Sequence, residues 1–253
     1  MILSPAFQKS LCDTLSSFDF FCLTFEGVFV VTVLVDWEIE EHMRKGNIVI
    51  DPFDSRQLKS GSYDIRLGEN YYSEQPTNRL QVINPWSKKS FESLWGSAQK
   101  AQPAHVFFDR NEREKLDLLA DDQVIVLNPD ENILAHTVEF IGGRNCVITS
   151  MHARSSIGRV DLEICKCAGW GDHGYINRWT MEITNNSHFP LVLPVGLRVG
   201  QIVFQQTAVP TQSYADSGKY QTVSDLDELK AKWQPSDMLS ALWLDWELRT
   251  RKK

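Results

Sequence analysis

Between residues 122 and 208 the chain is a succession of strand-length apolar runs broken by glycine and proline. They are Val124-Ile-Val-Leu, Ile133-Leu-Ala-His-Thr-Val, Cys146-Val-Ile-Thr, Trp179 to Thr184, Leu191-Val-Leu and Gln201-Ile-Val-Phe-Gln. Short strands at regular spacing with turn residues between them predict an all-β architecture, a barrel or jelly roll. Upstream, Ser62-Tyr-Asp-Ile-Arg-Leu-Gly68 reads as a further strand, with Tyr63, Ile65 and Leu67 on one side and Asp64 and Arg66 on the other.

Helices are expected only at the two ends. Asp36 is placed to cap a helix whose first turn carries Glu38 and Glu40, with Ile39 and Met43 facing the core and Gly46 ending it. In the tail, Leu226, Leu229 and Trp233, then Leu239, Leu242, Trp243 and Trp246, recur at helical spacing, so two helices separated by Pro235 are predicted. The closing Arg249-Thr-Arg-Lys-Lys253 reads as a solvated, dipole-friendly helix end rather than a nucleic-acid contact. Residues 72–112 read as an irregular insert, broken by Pro76, Pro85 and Pro103 and packed on the body through Trp86 and Trp95.

With 253 residues the chain can bury a core without staples. Its net charge of −7 argues against wholesale nucleic-acid binding, so an anionic small substrate must be held by a local basic cluster. Five cysteines, an odd count without framework spacing, fit a reducing, cytoplasmic setting. Cys165-Lys-Cys167 would put both sulfurs on one face of a strand, as two small core residues or a metal pair; no second ligand pair at zinc spacing accompanies it. Residues 18–35 are the most apolar stretch. Asp19 and Glu26 interrupt it, which favours a packed strand or irregular extension over a membrane anchor.

The chemistry concentrates in one region. Arg154 and Arg159 are guanidinium forks suited to phosphate oxygens, Ser155 and Ser156 add hydroxyl donors, and Gly158 admits a close backbone. Asp172 lies in the glycine-rich turn Ala168-Gly-Trp-Gly-Asp-His-Gly-Tyr175 and, taken alone, reads as a turn-forming aspartate. Glu182 stands in an apolar strand beside Trp179, Met181 and Ile183. Two accounts fit such an acid: a general base whose proton affinity is raised by desolvation, or one half of an ion pair with an arginine.

Taken together, Ala153-Arg-Ser-Ser-Ile-Gly-Arg-Val160, Ala168-Gly-Trp-x-Asp172, Gly174-Tyr and Thr180-Met-Glu182-Ile resemble the signature of the dCTP deaminases and their bifunctional relatives, a branch of the trimeric dUTPase-like superfamily. The resemblance extends to residues 62–68, to Pro194-x-Gly-x-x-x-Gly-Gln-Ile-Val-Phe204 and to Gly218-Lys-Tyr-Gln221. It implies a distorted β-barrel of the β-clip type in a homotrimer, with active sites between subunits. It divides the chain into an extension at 1–35, a nucleotide-binding core at 36–210 and a closing segment with a helical tail at 211–253. Residues 5–35 resemble an insertion, read either as a lineage-specific extension or, preferably, as translated sequence that a correct gene model would remove.

By the same resemblance Glu182 is the general base that activates water against C4 of cytosine, with Ser155 and Arg159 supporting that water and the tetrahedral centre. Asp172 holds the sugar 3′-hydroxyl, and Arg154 and Lys219 meet the phosphates. Ser156, Ala168, Trp170, Tyr214 and Gln221 complete the substrate contacts, Tyr214 as the aromatic of the closing tail. No protein-bound metal is implied, since the H-x-E and P-C-x-x-C of zinc deaminases do not occur; Mg²⁺ enters with the triphosphate. Asn177 replaces a glycine usual in relatives, and is expected to tolerate a left-handed backbone there.

The implied function is hydrolysis of dCTP to dUTP, and the Ala-Gly-Trp form of the loop points toward onward cleavage to dUMP and pyrophosphate. A dUTP diphosphatase without deaminase activity is the alternative, as is a non-catalytic nucleotide-binding or assembly protein.

Overall fold

The computed structural model describes residues 31–74, 82–84, 86–221 and 223–245. The expectations for the extension before residue 31, with Cys12 and Cys22, and for Trp246 and the basic terminus lie outside them.

Among the described residues fourteen strands, every pair of them antiparallel, carry the fold. The first part of the chain gives β1 (Thr32–Val33), β2 (Ile48–Asp51), β3 (Leu58–Lys59), β4 (Ser62–Ser73), β5 (Gln99–Lys100) and β6 (Gln102–Pro103). The remainder supplies β7 (Gln123–Leu127), β8 (Asn132–Gly143), β9 (Val147–Ala153), β10 (Leu162–Glu163), β11 (Trp170–Gly171), β12 (Ile176–Asn185), β13 (Leu191–Pro194) and β14 (Arg198–Gln206). The main sheet runs β10-β12-β8-β4-β14-β9-β11, with β1 on β14, β2 on β8, and β3 and β5 on β4; a second sheet runs β13-β7-β6. The all-β expectation holds.

The main sheet turns a corner within β4. Its first half, through Arg66, pairs with β14, whereas Leu67 and residues 71–73 pair with β8 after a register shift. Gly68 makes the corner tight, because a Cβ there would lie 2.1 Å from the His136 ring. Tyr63, Ile65 and Leu67 point into one core with Ile133, Ile141, Met181, Ile183, Ile202 and Phe204, as the two-residue period of a strand requires.

The end of the apolar run does pack as a strand, Thr32–Val33 pairing with Gln205–Gln206. Helix α1 (Asp36–Arg44) follows, burying Ile39. Its cap differs from expectation: Val35 is the capping position, Asp36 is the first helical residue, and the Glu38 carboxylate accepts the Val35 N–H at 2.9 Å. The acids therefore serve the N-terminal dipole and one orphan donor from within the first turn.

Three expectations are corrected. Within 72–112, read as irregular, β4 continues to Ser73 and helix α2 (Lys88–Trp95), capped by Ser87, buries Trp95; α3 (Arg110–Lys115) follows, capped by Asp109. Proline excludes helix at its own position but not between two prolines. In the described part of the tail only the first predicted helix is an α-helix, α6 (Leu226–Lys232). From Pro235 the chain forms 3₁₀ turns at Pro235–Met238 and Leu242–Leu244. The Cys165-Lys166-Cys167 segment is a turn, with Lys166 and Cys167 at left-handed φ of 36° and 62°, so its sulfurs do not share a strand face. Among the described residues no helix is long and apolar enough to cross a membrane.

Candidate active site

Glu182 lies on β12, opposite Leu134 of β8 in the longest ladder of the sheet. The apolar neighbours Met181 and Ile183 point into the core and are fully buried, which turns Glu182 and Thr180 to the other face. That face forms the floor of a cavity of about 460 Å³. Trp170, Asp172 and Ala168 border it from the glycine-rich turn, Tyr214 and Tyr220 from the closing segment, and Trp95 and Met238 from α2 and the tail. A larger, more open cleft of about 770 Å³ lies between Arg144, His173 and residues 209–216. It holds none of the expected catalytic residues, and the smaller cavity is the functional candidate because it holds the perturbed acid.

Burial raises the proton affinity of Glu182, with Lys166 opposing and Glu163 adding to the shift. One carboxylate oxygen, Oε2, is buried without a hydrogen-bond partner. No ion pair with an arginine forms among the described residues, so of the two accounts of this acid the desolvated one matches the geometry. A carboxyl group in this state takes up and releases a proton closer to neutral pH than an ordinary glutamate.

The walls are locally determined. Trp170 donates its indole N–H to Asp172 Oδ1 at 3.0 Å and is itself 59 % exposed. Gly174 adopts φ +89°, and a Cβ there would sit 2.1 Å from Ser213 Oγ, so this turn must be glycine for the closing segment to dock. Docking proceeds through the Ser213 hydroxyl, which donates to the His173 carbonyl and caps helix α5 (Tyr214–Ser217). Tyr214 then meets Tyr175 edge-on at 5.2 Å, and Tyr175 meets Trp179 at 5.3 Å.

Asn177 is extended within β12 rather than left-handed. Its amide donates to the Tyr220 carbonyl at 2.9 Å, and its carbonyl oxygen accepts the Arg178 N–H. Sequence position alone does not reveal that role, because the partner is 43 residues away.

The expected residues divide into three groups. Glu182, Ala168, Trp170, Asp172 and Tyr214 share the cavity. Lys219 and Gln221 border a neighbouring cavity of about 360 Å³ instead. Lys219 is paired there with Asp245, and Gln221 is only 3 % exposed with its amide engaged by backbone. Arg154, Ser155, Ser156 and Arg159 are elsewhere on the chain. The last three, on and after helix α4 (Ser155–Gly158), are exposed and make no side-chain hydrogen bond or ion pair among the described residues. Trp95 and Met238 carried no expectation as cavity walls, since neither belongs to a motif.

Residues 33–207 match the family model described as dCTP deaminase-like. The dCTP deaminase, dUMP-forming, of Methanosphaerula palustris is 30 % identical over 191 residues, covering 75 % of this chain and 90 % of that protein. The protein of the same description from Methanopyrus kandleri is 32 % identical over 197 residues, covering 75 % and 91 %. Among solved structures, the 2′-deoxycytidine 5′-triphosphate deaminase from Agrobacterium tumefaciens matches with a TM-score of 0.49 and 19 % identity, covering 70 % of this chain and 48 % of that one.

Proposed function

The chain belongs to the dCTP deaminase-like family, and on that premise we propose that it hydrolyses dCTP to dUTP and ammonia, then dUTP to dUMP and pyrophosphate. The observation that carries the first step is the desolvated carboxylate of Glu182, its Oε2 buried and unpaired, in a cavity of nucleoside size. Ionised Glu182 takes a proton from water as the oxygen adds to C4 of the cytosine. The same proton then passes to the exocyclic nitrogen, which leaves as ammonia when the C4–N4 bond breaks, and the remaining hydroxyl proton moves from the C4 oxygen to N3 to give the uracil ring. Trp170, Tyr214 and Tyr220 offer ring faces and edges to enclose the nucleoside, and the exposed Asp172 carboxylate is positioned by Trp170 to accept a sugar hydroxyl.

The family relation and the solvent-facing side chains of Ser155, Ser156 and Arg159 support a homotrimer in which one protomer lends these groups to the cavity of the next. There Ser155 and Arg159 would stabilise the attacking water and the developing negative charge, and Arg154 and Ser156 would meet phosphate oxygens. Mg²⁺ belongs to the incoming nucleotide. There it is expected to be carried mostly by phosphate oxygens and water. The second step is supported by the dUMP-forming description that the relatives carry.

Incubation with dCTP, dUTP and Mg²⁺ followed by chromatography tests the proposal. It expects ammonia, dUMP and pyrophosphate from dCTP; pyrophosphate from dUTP without ammonia from dCTP would make the protein a diphosphatase, and no product from either would make it a binder.

A further inference from the structure

Where β4 pairs with β14, two buried carboxylates lie beneath three guanidiniums. Glu139 is fully buried and saturated: it accepts the Arg66 backbone N–H at 3.0 Å, Arg66 Nε at 2.6 Å and Gln57 Nε2 at 3.0 Å. Asp64, only 2 % exposed, is shared differently. Arg198 Nη1 donates to its Oδ2 at 2.9 Å, and Arg154 Nε lies 3.5 Å from its Oδ1. Arg154 Nη1 also donates to the Arg198 carbonyl at 3.0 Å.

The backbone is shaped to bring these two arginines together. The β14–β4 register shifts between Arg198 and Gly200, and the Arg154 N–H bonds to the Val199 carbonyl inside that irregularity. Such a bulge re-aims the side chain beside it. One guanidinium is enough to neutralise one buried carboxylate. Three over two leave one positive charge uncompensated, on a chain whose net charge is −7. That charge faces outward, since the Arg198 and Arg154 side chains remain 42 % and 27 % exposed while Asp64 is enclosed. No other carboxylate pairs with either arginine among the described residues.

We propose that Arg198 is a further phosphate-binding residue, clamped beside Arg154 on the buried Asp64 carboxylate so that the two present adjoining N–H forks to the triphosphate of the nucleotide. Asp64 is the positioning residue of the pair. A guanidinium already held by one carboxylate loses little side-chain freedom when it receives a phosphate. This inference rests on the reading of the protein as an enzyme of nucleoside triphosphates.

The test compares the parent protein with Arg198→Ala and Arg198→Lys. Its readouts are KM and kcat for dCTP, and calorimetric binding of inorganic tripolyphosphate. Loss of a charge-assisted contact predicts that Arg198→Ala raises KM and weakens tripolyphosphate by about tenfold or more, with kcat changed far less and inhibition by phosphate-free deoxycytidine unaltered. Arg198→Lys, which keeps the charge and loses the fork, is expected to recover part of the affinity. If Arg198→Ala melts early, Arg198→Gln, which keeps a donor for Asp64 and removes the charge, carries the same comparison. Unchanged KM and unchanged tripolyphosphate binding in a folded variant would overturn the proposal while dCTP turnover left the functional reading intact. Arg198-dependent tripolyphosphate binding by a protein that turns over neither dCTP nor dUTP would do the reverse.

Discussion

Gln221 is joined to Ile176 by a side-chain acceptor rather than by a strand ladder: Gln221 Oε1 receives the Ile176 N–H at 2.7 Å. The same amide donates to the Gly174 carbonyl at 2.9 Å. One buried side chain thus completes the start of β12 and ties down the segment that carries Tyr214 and Tyr220. Gln221→Ala leaves two buried backbone groups unpaired and is expected to cost about 1–3 kcal/mol, read by urea denaturation. It should also raise KM for dCTP, because two aromatic walls of the cavity lose their anchor.

Replacing Glu182 separates chemistry from binding. Glu182→Gln should abolish ammonia release while nucleotide binding by calorimetry is retained; undiminished turnover would remove the acid from the mechanism. Its effect on stability has a definite sign. Burial raises the folded-state pKa of Glu182 above the ordinary value, so the folded protein holds this proton more tightly than the unfolded chain does. That stability is fully present below the unfolded-state pKa and is lost as pH rises through the raised folded value. Glu182→Gln should therefore be more stable than the parent near neutral pH, and the difference should close on acidification.

His136 works in the opposite direction. Burial lowers its pKa to about 4. The ring is neutral in the fold, with Nε2 accepting the Asn70 N–H at 3.2 Å and Nδ1–H donating to the Thr137 carbonyl at 2.8 Å. Its contribution is present above the unfolded-state pKa of about 6.5 and is lost as pH falls toward about 4, a total of roughly 3 kcal/mol. Replacement by glutamine should flatten that part of the stability profile, measured by urea titration across the interval.

The tail builds part of the cavity. Met238, 4 % exposed, packs with Trp95, Tyr72 and Leu134. Met238→Ala should cost about 2–5 kcal/mol of local or global stability, shift tryptophan emission to longer wavelength and raise KM more than it lowers kcat. Unchanged emission and kinetics would show the tail to be a bystander.

Much of this was legible in the sequence because it is periodic or chemically incongruous. The alternation of Tyr63, Ile65 and Leu67 fixes one face of β4 whatever its partners are. An acid between Met181 and Ile183 stands out against its surroundings. The unread parts depend on pairings between distant segments. Nothing local to Trp95 or Met238 says that they wall the same space as Glu182. Asn177 looked like a substitute for glycine in a turn, whereas its amide is needed to hold Tyr220. Gln221 carried a substrate role by the family resemblance, and in the fold its hydrogen bonds are made with Ile176 and Gly174. The tail's helical spacing was satisfied by successive 3₁₀ turns, which repeat apolar contacts closely enough to mimic it.

The acid's cavity and the unengaged Ser155–Arg159 turn lie apart on the chain, so the proposed reaction needs more than one copy. If neighbouring copies complete each other, two inactive preparations, Glu182→Gln and Arg159→Ala, should regain turnover when unfolded and refolded as a mixture, since some junctions in the mixed assemblies would be built from two intact halves. Specific activity should likewise decline on dilution, as assemblies come apart into chains that each retain a base and lack the neighbour that supplies Ser155 and Arg159.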